Sequence, residues 1–286
     1  MKSIVALIDG SGYAQSVCDH AGWVASRGGA DASLVLCHVI RRHDIDAENT
    51  DLSGSIGLGA RSSLLDELSE LDEQKARLVN QRGRAILDDA RKRAAEMGAS
   101  NVTAMLRSGQ LVENAEELEK NADLIIIGKR GEASHLNMEH LGSNLERVVR
   151  SSAKPVMVAS RAFQPINKVL IAFDGGASSS KAVQHIAGSD VFKGLEILCV
   201  QVGSEASRNP KALADAVAQL RDAGFTAESK LLPGQPESVI AGTVELESID
   251  LLVMGAYGHS RIRNLIIGST TTQMVRACKV PIILYR

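Results

Sequence analysis

The chain has 286 residues, 44% of them hydrophobic and 23% charged, which is apolar material enough for one large core or two ordinary ones. Its formal net charge is -2 and only 3% of its residues are aromatic, so it lacks the basic field and the stacking rings of a nucleic-acid binder, and no nucleic-acid partner is expected. No apolar run approaches the roughly 18 residues of a membrane span, and the five apolar residues before Asp9 in "MKSIVALIDG" are too few for a secretory leader, so a cytoplasmic protein without a membrane partner is expected.

The first element is "IVALIDGSG" at 4–12, a short apolar run closed by Asp9 and small residues. "SLVLCHVI" at 33–40 follows. Both are rich in Val, Ile and Leu without alternation, the pattern of strands buried on both faces of a parallel sheet. A polar, Gly-rich stretch at 41–63 comes next, then "LLDELSELDEQKARLVNQRGRAILDDARKRAAEMG" at 64–98. In it Leu64, Leu68, Leu71 and Leu78 recur at helical steps, which predicts a long amphipathic helix. Its leucine stripe is expected to face the core, with a partner-binding or lid role as the alternative. "LRSGQLVENA" (106–115), "ADLIIIGKRG" (122–131) and "GSNLERVVRSSAKPVMVAS" (142–160) complete the first part.

The pattern then starts again. "VLIAFDGGA" (169–177), "EILCVQV" (196–202), "LPGQPESVIA" (232–241), "IDLLVMGAYG" (249–258) and "GSTTTQMVRACKVPIILYR" (268–286) resemble the five earlier segments in the same order. Five ordered matches mean a duplication. Two domains are expected, 1–161 and 166–286, joined through "RAFQPIN" (161–167), with the first carrying an insert at about 41–78. Helical patterns at "SSKAVQHIAG" and "PKALADAVAQLRDAG" (210–224) separate the strands, so each copy reads as an open α/β sheet with right-handed crossovers. Cys18, Cys37, Cys199 and Cys278 are scattered without a C-x-x-C and read as reduced intracellular thiols.

Chemistry is expected at the carboxyl ends of the strands, where open α/β folds hold ligands. "GAYGHSRIRNLIIGST" at 255–270 spaces its glycines as G-x2-G-x9-G and closes on Ser-Thr. Gly255 and Gly258 let backbone approach a ligand without a Cβ in the way. Gly268, Ser269 and Thr270 open a helix, whose free N–H groups and positive end suit phosphate. The first copy departs from this: ten residues separate Gly131 from Gly142, and Ser143 is followed by Asn144. Lys129 and Arg130, between Gly128 and Gly131, could attract phosphate or be ordinary surface charge. Asp9 and Asp174 could touch ligand or cap their own turns.

The glycine pattern, with an Asp at the end of the first strand, resembles the universal stress protein family over nearly the whole chain. The resemblance implies two tandem Rossmann-like or flavodoxin-like domains, each an open five-stranded parallel sheet with helices on both faces. Many members bind ATP, here expected with Mg²⁺, and are not clear enzymes; others lack the motif and do not bind it. It implies Asp174 at the ribose, Gly255, Gly258, Gly268, Ser269 and Thr270 at the phosphates, and backbone around Val202 at the adenine, with Gly234 lining the cleft. The first-copy counterparts are Asp9, Val39, Gly109, Gly128, Gly131, Gly142 and Ser143, a weaker site or one turned to another ligand. Single-domain relatives pair through their last strand, so "PVMVA" (155–159) and "PIILY" (281–285) would pair within one chain as a pseudo-dimer, with a homodimer also open. The expected function is nucleotide-dependent regulation in a stress response through ordering of the loop 255–268. An ATP-hydrolysing or nucleotidyl-transferring enzyme in the same cleft, or a scaffold that binds no nucleotide, are the alternatives.

Other motifs carry less. "GSGYAQ" (10–15) has Gln15 where a dinucleotide fingerprint has glycine, and "SGSIGLGARS" (53–62) lacks the P-loop Lys-Ser/Thr ending. His135 and His140 have no third ligand nearby for a metal. Ser260, after His259, has no G-x-S-x-G elbow.

Overall fold

The computed structural model describes residues 1–41, 58–131, 142–204, 209–256 and 268–286, with backbone alone for 58–66. Gly258, His135, His140, His259, Ser260, most of the Gly-rich stretch 41–63 and most of the loop 255–268 lie outside the described residues.

Each half runs strand-helix-strand from end to end. The first has β1 (Ser3–Ile8), α1 (Ala14–Arg27), β2 (Ser33–Ile40), α2 (Leu58–Glu96), β3 (Val102–Ser108), α3 (Leu111–Glu119), β4 (Leu124–Gly128), α4 (Ser143–Ser151) and β5 (Val156–Ala159). The second has β6 (Lys168–Ala172), α5 (Ala177–Ala187), β7 (Glu196–Val202), α6 (Pro210–Asp222), β8 (Thr226–Leu232), α7 (Pro236–Leu246), β9 (Leu251–Gly255), α8 (Ser269–Ala277) and β10 (Ile282–Tyr285). Within each half all pairings are parallel, in the order β3-β2-β1-β4-β5 and its repeat β8-β7-β6-β9-β10.

The central strands are apolar on both faces because both faces are covered. Ile4, Ala6 and Ile8 of β1 pack with α1, α2, α5 and α6 in one core, whereas Val5 and Leu7 point into a second core beneath α3, α4, α7 and α8. The halves meet edge to edge: β10 pairs antiparallel with β5, Ile282 opposite Val158 and Ile283 opposite Met157, giving one ten-stranded sheet. That contact removes two apolar edges that would otherwise be open to aggregation. It also points the strand ends of the two halves in opposite directions, so their carboxyl-end loops lie at opposite rims.

Two expectations about the insert need correction. The helix begins at Leu58 rather than 64, and at 39 residues it is three times as long as its second-half counterpart α6. Its core-facing stripe is not the leucine series. Gly83, Leu87, Ala90 and Ala94 are the buried positions, while Leu71 and Leu78 are 59% and 65% exposed. The side chain of Leu64 lies outside the described residues, and Leu68 is half-buried.

The four cysteines are free and buried. Burial pushes the Cys18 and Cys199 thiols up to about 12, and those of Cys37 and Cys278 to about 11, so all four stay protonated and inert. Among the described residues, no helix is long and apolar enough to cross a membrane.

Candidate functional site

In the second half, the rim of the sheet is built from three chain turns. β6 ends at Ala172, opposite Met254 of β9, so Asp174 and Gly255 leave the sheet on neighbouring strands. Asp174 is exposed, and its Oδ1 accepts from the Gly176 N–H at 2.8 Å and the Ser179 hydroxyl at 2.6 Å. This is the turn-capping arrangement; it fixes the carboxylate at the start of α5. No motif in the sequence singles out Ser179, which is buried in the first turn of that helix.

α8 starts at Gly268, whose backbone (φ -55, ψ 144) precedes the helix without any side-chain cap. The N–H groups of the first turn have no partner in their own helix, and Ser269 stands exposed beside them with Thr270 half-buried. This turn is fastened to the end of β9. The Gly268 N–H donates to the Ala256 carbonyl at 3.3 Å, and the Thr271 hydroxyl lies 3.2 Å from both the Gly255 and Ala256 carbonyls. The two ends of the glycine motif are thus brought together. Thr271, 3% exposed, is a second residue that no motif singles out; its place one residue beyond the Ser-Thr pair is the available signal.

Val202 lies at the end of β7, half-buried above the core that α7 and α8 cover, opposite Leu232. Gly234 occupies the β8-to-α7 turn with φ +123, a conformation that L side chains rarely adopt, and a Cβ there would lie 2.8 Å from the Val239 side chain. Gln201, 2% exposed beside Val202, accepts from the Asn209 N–H at 3.0 Å and holds the start of α6.

The first half repeats this rim. Asp9 Oδ1 accepts from the Ser11 N–H at 3.0 Å, so Asp9 also caps its turn. A Cβ at Gly131 would lie 2.9 Å from Asp9 Oδ2, which places the glycine loop directly against the strand-one carboxylate. Gly128 packs on Tyr13, and Gly142 sits beside Lys129, Arg130 and Gly131 despite the extra residue in the spacing. Gly142 precedes α4 with no side-chain cap, and Ser143 opens the helix. Val39 holds the Val202 position, opposite Arg107, and Gly109 takes φ +113 in the turn before α3.

Lys129 does not serve this rim. Its ammonium donates to the Arg276 carbonyl at 2.6 Å and the Cys278 carbonyl at 3.3 Å, at the carboxyl end of α8 in the other half. Burial holds its pKa below the usual lysine value. Arg286 answers from the second half, donating to the Arg150 carbonyl at 3.0 Å at the end of α4.

Two doubly wound halves with the same winding, each gathering its uncapped last helix and glycine turns at the carboxyl ends of its strands, define a tandem α/β protein. The chain belongs to the universal stress protein family, whose pattern matches residues 1–160 and 165–286. It is 41% identical over 289 residues to a universal stress protein of Synechocystis sp., covering 100% of both chains. A universal stress protein of Methanocaldococcus jannaschii is 31% identical over 163 residues, 56% of this chain and 82% of that one. Among solved structures, a universal stress protein from Archaeoglobus fulgidus shares the fold with a TM-score of 0.73 at 19% identity, over 99% of this chain and 97% of that one.

Proposed function

We propose that the second half binds ATP with Mg²⁺ and that the protein acts as a nucleotide-responsive regulator in a stress response, with at most very slow hydrolysis. The observation that carries this is the first turn of α8. Its N–H groups have no side-chain cap at Gly268 and stand beside the exposed Ser269 hydroxyl, at the rim where Asp174 emerges. Such a helix end contributes only about 0.3–1 kcal/mol per exposed charge, so a triphosphate is held by several N–H groups and hydroxyls acting together. These residues fit a phosphate chain: they offer donors and a bare glycine at Gly255. Asp174 is assigned to the ribose, the Val202 backbone and Gly234 to the adenine, and Gly255, Gly268, Ser269 and Thr270 to the phosphates. Gly258, outside the described residues, belongs to the same phosphate group by its spacing.

The first half, taken as a domain over 1–161, carries the weaker site at Asp9, Val39, Gly109, Gly128, Gly131, Gly142 and Ser143. The Asp9 carboxylate leaves no room for a side chain at Gly131, and Lys129 is committed elsewhere. The antiparallel β5–β10 contact supports reading the halves 1–161 and 166–286 as an intramolecular pseudo-dimer. Four unpaired buried thiols support a reducing, cytoplasmic setting.

The test is mass analysis of the protein as purified, followed by a turnover assay with labelled ATP. Adenine nucleotide released on denaturation, with hydrolysis no faster than a few turnovers per hour, is the expected result. No nucleotide at any loading concentration, or turnover at ordinary enzymatic rates of about 1 per second or more, would overturn it.

A further inference from the structure

The long helix α2 has two different faces in its two halves. From Gly83 onward it lies on the sheet through Gly83, Leu87, Ala90 and Ala94. From Glu67 to Arg82 it carries a second stripe, Leu71 and Leu78, 59% and 65% exposed, with Leu68 and Val79 half-buried beside them. At 100° per residue, Leu71 and Leu78 lie roughly 120–140° around the helix from Gly83, so they do not face the sheet. Seven residues separate the two leucines, the spacing that lets a straight seam meet another helix. They are two of the four large hydrophobic side chains that stand exposed among the described residues.

Charge along this arm is segregated. Glu67, Glu70, Asp72 and Glu73 precede Lys75, Arg77, Arg82 and Arg84, with no base in the first block and no acid in the second. Seven of the eight are exposed, and Asp72 is half-buried. Arg77 lies 3.4 Å from Glu73 at the border of the blocks, an exposed pair that contributes little. A helix of this kind is complementary to itself when reversed. Two arms laid parallel put acid beside acid and base beside base. Two arms laid antiparallel, crossing near Gln74, put each acidic block along the other's basic block and bring Leu68 and Leu71 over the partner's Leu78 and Val79.

We propose that two copies of this chain associate through the 67–82 arm of α2 as an antiparallel helix pair. The overlap, about 24 Å at 1.5 Å per residue, ends at Gly83, where each helix meets its own sheet, so the two bodies lie at opposite ends of the seam. The inference is independent of the nucleotide site.

Sedimentation velocity on the full chain tests it. Wild type at tens of micromolar is expected to sediment at twice the chain mass, and Leu71→Glu with Leu78→Glu at the single mass with unchanged far-ultraviolet circular dichroism; both positions are exposed, so the double variant folds. Orientation is read with single-cysteine additions, the four native thiols being buried. Mixed Leu71→Cys and Leu78→Cys chains are expected to cross-link to each other, and each alone several-fold less. A monomeric wild type at 100 µM, a dimer that survives the double glutamate variant, or cross-linking of each cysteine variant mainly to itself would overturn the proposal.

Discussion

The hydroxyl of Thr271 is the smallest group on which the second-half rim depends. It reaches the Gly255 and Ala256 carbonyls and so fixes the first turn of α8 against the end of β9. Thr271→Val keeps the shape and leaves a buried carbonyl short of a donor, so urea unfolding should show a loss of about 1–2 kcal/mol. A change under 0.3 kcal/mol would mean that the hydroxyl holds nothing. Much of this rim was legible in the sequence, because glycine and the strand-end Asp have local reasons to recur at fixed offsets. Gly234 needed its left-handed turn, and Asp9 met Gly131 because β1 and β4 are neighbours. What was not legible depends on distant partners. Within its loop Lys129 reads either as a phosphate-attracting group or as ordinary surface charge, and the antiparallel joining of the halves instead places the carbonyls of Arg276 and Cys278 within its reach.

At the scale of elements, α1 and α2 are joined by one ion pair of unequal burial. Arg93 approaches Asp19 through two contacts, 2.5 and 3.1 Å, with the Asp19 side chain 8% exposed and that of Arg93 39%. Removing the guanidinium strands a buried carboxylate, which costs more than the pair itself contributes. Arg93→Ala is expected to lower the midpoint of chemical denaturation, and Asp19→Asn in that background to recover part of the loss. No recovery would show that packing of the arginine stem, not charge, is what was lost. The helix explains why the core stripe was misread. It meets the sheet through small residues: a Cβ at Gly83 would lie 2.7 Å from the Leu106 side chain and 3.1 Å from the His38 ring. Glycine and alanine contribute little hydrophobic signal, whereas the leucines that dominate the periodic pattern lie on the arm. Element order and sheet type, by contrast, followed from runs buried on both faces, since only a parallel sheet covered twice requires them.

For the whole molecule, stability should depend on pH through two histidines. His20 is fully buried; its Nδ1 lies 2.7 Å from the Ser16 carbonyl and must donate to it, while Nε2 has no partner. A second proton would sit on that unpartnered nitrogen, and burial holds the His20 pKa below the usual 6.5. His185, against Tyr285, is lowered for the same reason. The unfolded chain takes up these protons near pH 6.5 and the folded chain only at lower pH. Stability is therefore full above about 6.5 and falls below it, by up to about 1.4 kcal/mol per pH unit for each histidine until its folded pKa is reached. Urea midpoints at pH 7.5 and 5.5 should differ, and His20→Gln should shrink the difference; an equal slope in the variant would refute the assignment. The antiparallel contact between β5 and β10 joins the two halves in one sheet; the expectation of such a pairing rested on the family resemblance, and two apolar edges left open would invite aggregation.

Calorimetric titration of ATP with Mg²⁺ into the intact protein and into Gly268→Asp bears most directly on the proposed role of the α8 cradle. Binding at a principal site is predicted for the wild type, and its loss in the variant, where a carboxylate caps the helix and repels the phosphates. Equal binding by the two proteins, or none by either, would contradict it.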